Sequence, residues 1–271
     1  MAGRPRARRR GDIEVTPPRV QRVSAESLEI AEDIANEPGR RRLNTPVLKS
    51  FIRVDGDLSP FRRIYAGGRS GVVAAKLYLA LLWKASQEPY SVRNVTARSW
   101  AMLLDLDDPD GNGARRISAA LKKLEDLDFL TLTPVPGYPP TITLLTERGT
   151  GQPYLPAPEV HRADPDNIYF KIAMTIWTEG YMQALTGPGL AMYLILAGEQ
   201  AYSKPQYFST EQFPRWFGIS PRTRAAGTKD LEELHLLKVV REEVKPPRGQ
   251  RAVGKRRVRK VYRLIGPAEP R

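Results

Sequence analysis

Hydrophobic and polar positions along this chain run through the same succession twice. Lys76-Leu77-Tyr78-Leu79-Ala80-Leu81-Leu82 has its counterpart in Ala191-Met192-Tyr193-Leu194-Ile195-Leu196-Ala197. Both are apolar nearly all round, the pattern of a buried helix. A second helical phrase follows each, Thr96-Ala97-Arg98-Ser99-Trp100 and Ser209-Thr210-Glu211-Gln212-Phe213. A third, Leu124–Leu130 against Leu231–Leu237, aligns with an offset of 107, whereas Trp100 and Phe213 lie 113 apart. The first copy therefore carries six extra residues, for which Asp107–Asn112 account. A repeat of this kind fixes the unit of the fold. Here the unit is three helices and a two-stranded segment.

The first copy predicts a buried helix over Gly71–Ser86, a second helix from Thr96 and a third over Ala114–Leu127. In the third, Ile117, Ala120, Leu121, Leu124 and Leu127 follow the 3/4 spacing of a core stripe. Phe129–Thr133 and Thr141–Leu145 read as strands joined by the turn cluster Pro134–Pro140. In the second copy the buried helix is Gly189–Gln200, and Ser209 with Gln212 forms a capping box. Ser220 at the N-cap and Pro221 at the first helical position open a helix running to about His235. The strands Leu237–Val244 and Val258–Leu264 follow. Phe51-Ile52-Arg53-Val54 resembles Tyr169-Phe170-Lys171-Ile172 as an extended opening to each unit. Residues 1–45 are polar and Arg/Pro/Glu-rich, a disordered basic arm with a short helix at Ala25–Ala35. The expected division is an arm at 1–45, units at 46–146 and 167–265, a linker at 147–166 and a tail at 266–271.

The chain has 271 residues, a formal charge of +13 and a pI near 10.0, which favours a polyanionic partner. Arg4, Arg6, Arg8, Arg9 and Arg10 place five cations in the first ten residues. Lys245, Arg248, Arg251, Lys255, Arg256, Arg257, Arg259 and Lys260 place eight more within sixteen. Together they equal the formal excess, so the remaining surface is balanced. The second run falls between the two strand-like segments of a repeat unit, which weakens the reading of a merely solvated run. The absence of Cys excludes disulfides, thiolate metal sites and a Cys nucleophile. No apolar run approaches the ~18 residues of a membrane span, and the Arg-rich start lacks an apolar signal core. The expectation is a cytoplasmic protein associated with nucleoid or plasmid DNA, without a membrane partner.

At about 100° per residue, with Leu121 and Leu124 inward, Arg115, Arg116, Ala119, Lys122 and Lys123 point outward. With Leu231 and Leu234 inward, Arg222, Thr223, Ala226 and Lys229 do the same, while Arg224 falls at the place of the inward Ile117. A helix, a short helix, a tight turn, a longer helix and a hairpin together resemble the winged helix-turn-helix family, over residues 70–146 and 185–265. Ser209–Ile219 followed by Ser220-Pro221-Arg222-Thr223 resembles its helix-turn-helix core. Tandem pairs of this module resemble plasmid replication initiators that bind repeated origin sites, and also some regulators of phages and mobile elements. The implied fold class is mainly α with small β-hairpins (α+β), two winged-helix domains in tandem behind the basic arm.

The resemblance implies a third helix in the major groove and a wing against phosphates. The expected contacts to double-stranded DNA are Arg115, Arg116, Lys122 and Lys123 in the first unit, and Ser220, Arg222, Thr223 and Lys229 in the second. Lys245, Arg248, Arg251, Lys255, Arg256 and Arg257 of the second wing, and Arg4 and Arg6 of the arm, complete them. The expected function is sequence-specific DNA binding by a replication initiator or origin-binding protein. The alternatives are a transcriptional regulator, or a scaffold in which one unit binds protein. The first wing, Pro134–Pro140, has no cation, which makes the first unit the one to meet a second copy or a replication or transcription protein.

Other motifs carry less. Asp108-Pro109-Asp110-Gly111-Asn112-Gly113 matches half of a calcium loop, but its twelfth position is Ala119 rather than Glu, so a helix-capping insertion is the better reading. Gly3-Arg4-Pro5-Arg6 resembles the core of an AT-hook without its preceding Arg, and reads as a non-specific arm. Ala66–Gly71 is glycine-rich but lacks the Lys of a phosphate loop. His161 and His235 have no acid at catalytic spacing, so no enzyme, metal or cofactor is expected.

Overall fold

The computed structural model describes residues 20, 22–38, 44–53, 58–200, 206–243 and 258–270. Helices and small antiparallel sheets make a mixed α+β fold. Helix α1 (Ala25–Ala35) precedes two units of one element order. The first unit runs β1 (Asn44–Leu48), α2 (Lys49–Ile52), α3 (Pro60–Tyr65), α4 (Arg69–Lys84), β2 (Ser91–Val92), α5 (Ala97–Leu103), α6 (Ala114–Asp126), β3 (Leu130–Val135) and β4 (Tyr138–Leu144). After α7 (Ala157–Ala163), the second runs β5 (Tyr169–Ala173), α8 (Thr175–Thr178), α9 (Tyr181–Ala184), α10 (Gly187–Gln200), α11 (Gln212–Phe217), α12 (Pro221–Glu233), β6 (Leu237–Glu243) and β7 (Val258–Leu264). In the first unit β2, β4 and β3 form a three-stranded sheet in that order. In the second, among the described residues, a single bridge, Gln206 to Tyr262, stands where β2 would pair.

The apolar phrases become the centres of the units. Every residue from Val73 to Trp83 of α4 and from Gly189 to Gly198 of α10 is buried. The offset of 107 holds at both ends of α6 and α12 and carries into the first residues of β3 and β6. The two helices also stop in the same way. Asp128 (φ +62°) and His235 (φ +56°) turn left-handed, and the next N–H, of Phe129 or Leu236, donates back to Leu124 or Leu231. The extra residues of the first copy form a π-helical turn, Pro109–Gly113, before α6. The Asp108 carboxylate accepts from the N–H of Gly111 (3.2 Å) and of Asn112 (2.7 Å), so it acts as a cap.

A local two-fold axis relates the units. The opening strands β1 and β5 pair antiparallel, with Asn44 opposite Ala173, Pro46 opposite Lys171 and Leu48 opposite Tyr169. Positions 125 apart thus exchange places about Pro46 and Lys171. The contact is repeated farther out. A Cβ on Gly187 would lie 2.6 Å from Val72 Cγ2, and these residues are separated by 115, the spacing of Tyr78 and Tyr193. Trp83 of α4 stacks on Trp177 of α8, with centroids 5.3 Å apart and planes 7° from parallel. At the related place, Gly198 of α10 meets Ile52 of α2, where a Cβ would lie 2.3 Å from Ile52 Cδ1. The buried apolar side chains of both units form one continuous core.

Four expectations about the fold need correction. Phe51 and Ile52 are not extended: both are buried in a helical turn, α2, which closes with the Arg53 N–H donating back to the Lys49 carbonyl at 3.1 Å. The short helix forms at the expected bounds, Ala25–Ala35, but is no part of a disordered arm, because Leu28, Ala31 and Ile34 dock it against α5 and α8. Residues 147–166 join the units, but as an anchored strap. Leu145 bridges to Pro153, Glu147 is 1% exposed and accepts from the N–H of Leu48 at 2.7 Å, and α7 packs on β1 and β5. The turn cluster Pro134–Pro140 also shrinks, since β3 reaches Val135 and β4 starts at Tyr138.

Candidate nucleic-acid interface

Helix α6 buries Ile117, Ala120, Leu121 and Leu124, and leaves Arg115, Arg116, Ala119 and Lys122 exposed. Arg115 is steadied by Asn112 Oδ1 at 2.7 Å, and Lys122 pairs with Asp126 at 2.9 Å and Glu125 at 3.2 Å. Those pairs hold its ammonium in the charged form, above the ordinary lysine range. Helix α12 opens as expected, with Ser220 Oγ accepting from Thr223 N at 3.1 Å and Pro221 in the first position. Only Gly227 and Leu231 are buried along it. Gly227 is required there, because a Cβ would lie 2.2 Å from the Pro188 carbonyl of α10. Arg222, Ala226 and Lys229 are exposed, Thr223 is half-buried, and Lys229 pairs with Glu233 at 3.5 Å.

Lys123 is a correction. It does not face outward, and its Nζ donates to the carbonyls of Ile64 (2.6 Å) and Ala66 (2.5 Å) at the end of α3. Desolvation lowers its pKa from the ordinary lysine value. Its counterpart 107 residues on is Asp230, of opposite charge, which accepts from Thr186 N (2.9 Å) and Oγ1 (2.8 Å) ahead of α10. A cation meets the negative end of a helix and an anion the positive end of another, so both charges serve the fold. Arg224 lies inward like Ile117, over the Phe213 ring at 4.5 Å, donating to Tyr262 Oη at 3.0 Å.

The hairpins differ. In the first, Thr131 faces Thr143, Thr133 faces Thr141, and Tyr138 at the tip is 67% exposed. In the second, Arg241 opposes Lys260 and Lys238 opposes Arg263, all exposed. Like charges directly opposite destabilise a sheet, and the two pairs, three residues apart along β6, point to opposite faces of the hairpin. Lys238, Arg241 and Arg263 were not singled out in the sequence, because only strand register brings them beside the others. Arg259 stands over Tyr207 at 4.1 Å and pairs with Glu242 at 3.4 Å. The expected contacts at Lys245, Arg248, Arg251, Lys255, Arg256, Arg257, Arg4 and Arg6 lie outside the described residues. The first unit brings carboxylates instead: Asp107, Asp108 and Asp110 precede α6, and Asp110 pairs with Arg98 at 2.6 Å.

Two buried titratable groups were missed, one in the supposed linker and one inside an apolar helix. Burial pushes the Glu147 carboxyl up to about 8, against the opposing hydrogen bonds of Leu48 N and Tyr154. Burial pulls Lys76 down to about 8, against Asp230 and Asp105, while its Nζ donates to the Gln183 carbonyl of the other unit at 2.8 Å. Both sit at the junction of the units, away from the exposed faces of α6 and α12. His161 meets the Asn167 carbonyl through Nδ1 at 3.2 Å, and no metal-holding group of three His, Asp or Glu occurs among the described residues. No described helix is long and apolar enough to cross a membrane. No protein-family model matches the chain, and no curated protein or solved structure matches it either.

Proposed function

We propose that the chain is a tandem winged-helix protein that binds double-stranded DNA in a sequence-specific manner, without catalysis. The observation that carries this reading is the pair of exposed faces on α6 and α12. Each offers an Arg near the helix start, a small residue one turn on and a Lys after it, on a helix whose other side is fixed in the core. Cations suit phosphate and guanine, and a small residue between them permits close approach to base edges. Role in replication, as an initiator or origin-binding protein of plasmid type, is the process we favour, with regulation of a mobile element as its rival. It rests on the duplicated module alone.

A second reading has its own support for the first unit. Its hairpin carries no cation and an exposed Tyr138, and three carboxylates precede α6. That unit therefore binds DNA more weakly than the second, or faces a protein. The test is to replace Arg222 or Lys229 with Ala and measure binding to the preferred site and to unrelated DNA. Loss of roughly 1–3 kcal/mol on the preferred site assigns a base contact. Equal loss on every sequence assigns a phosphate contact, and no loss on any DNA refutes the reading.

A further inference from the structure

The two exposed helix faces correspond position by position at the offset of 107. Arg115 answers to Arg222, Ala119 to Ala226 and Lys122 to Lys229, and the acids that pair with the lysines, Asp126 and Glu233, correspond as well. At the third position of each helix they differ, Arg116 against Thr223; Ser118 and Ala225 differ as well, but the Ser118 hydroxyl already donates to the Ala114 carbonyl at 3.1 Å. The opening strands pair about a two-fold axis between Pro46 and Lys171, and the units share one core. Two reading helices related by a two-fold axis meet the two strands of a duplex in opposite senses, so matching faces read an inverted repeat. A direct repeat would need units related by translation along the helix axis.

We propose that one copy of this chain reads an imperfect inverted repeat. Its half-sites agree at the base pairs under Arg115/Arg222 and Lys122/Lys229, and differ at the base pair under Arg116/Thr223. The proposal rests on the DNA-binding reading and adds the symmetry of the site and the residue pair that breaks it. Arg can take guanine through O6 and N7, whereas Thr reaches a single edge atom or a thymine methyl, so the two half-sites diverge there.

Selection of bound sequences from a random duplex pool by the full chain tests this, with the bound stoichiometry measured by light scattering. The expected product is a dyad-related pair of half-sites about one helical turn apart, ~10 base pairs between centres, bound by one copy. Arg116→Thr should lower affinity for that site by roughly 5–150-fold, the range of one lost bidentate contact. On reselection it should yield a more symmetric site. Arg116 is exposed, and a thermal melt unchanged from the parent shows that the variant is folded. A selected site without a dyad, or a dyad occupied by two copies, overturns the symmetry proposal and leaves DNA binding standing. Failure to select any DNA overturns the DNA-binding reading itself.

Discussion

Glu147 gives the most direct check on how the two units are joined. Its carboxyl is buried, accepts from Leu48 N at 2.7 Å, and is pushed up to about 8 from an ordinary value of 4.5. Between those values the folded protein holds a proton that the unfolded chain has lost. Stability therefore falls as pH rises, by up to ~1.4 kcal/mol per pH unit, and by roughly 3–5 kcal/mol over the window. Lys76 does not blur this, because its pKa is lowered to about 8 from 10.5, so its contribution changes only above the lower value, rising with pH. Glu147→Gln keeps an oxygen for the Leu48 N–H and cannot ionise. Urea unfolding of parent and variant should give similar stability near pH 5, with the variant more stable by roughly 3–5 kcal/mol near pH 8. Two curves that stay parallel across this range would show that residue 147 is solvated, and that the strap is not docked on β1.

The remaining predictions concern the charged surfaces and the shared core. Neutralising Lys255, Arg256 and Arg257 together should lower the slope of log affinity against log salt by up to roughly three, at about 0.9 per lost phosphate contact; an unchanged slope would remove that loop from the backbone. Lys123→Met should cost roughly 1–3 kcal/mol of stability by leaving the carbonyls of Ile64 and Ala66 unpaired, with DNA affinity close to the parent's. The reverse result, normal unfolding with weakened binding, would put Lys123 back on the reading face. Fragments 46–150 and 164–271, expressed apart, should lose cooperative unfolding, since each exposes half of a continuous core and the Trp83–Trp177 stack. A cooperative melt of either fragment alone would show that the halves are independent domains.

What was legible in the sequence was whatever depends on near neighbours. The period of Ile117, Ala120, Leu121 and Leu124 fixes which side of α6 is buried, and therefore which side is free. Ser220 and Pro221 set the start of α12 because a cap and a fixed φ act within one turn. The offset of 107 survives in the structure because α6 and α12 have equal length and the same left-handed stop. The inward turn of Arg224 could likewise be read from its alignment with Ile117.

The rest was decided by contacts between residues far apart in the chain. Lys123 has a helical address at the margin of the outward face, and only the carbonyls ending α3 pull it inward. Asp230, at the same address in the other copy, meets the start of α10 instead. The strap 147–166 has the Pro, Gly and polar composition of a linker. It became an anchored element because β1 presents an N–H that Glu147 can accept where water cannot reach. The pairing of β1 with β5 lies beyond any local pattern, since the register of an antiparallel pair depends on two segments 125 residues apart. Hydrophobic period determined the helices and the sides they bury. The two-fold axis, and with it the relation between the exposed faces of α6 and α12, came from how those buried sides closed on one another to make a single core.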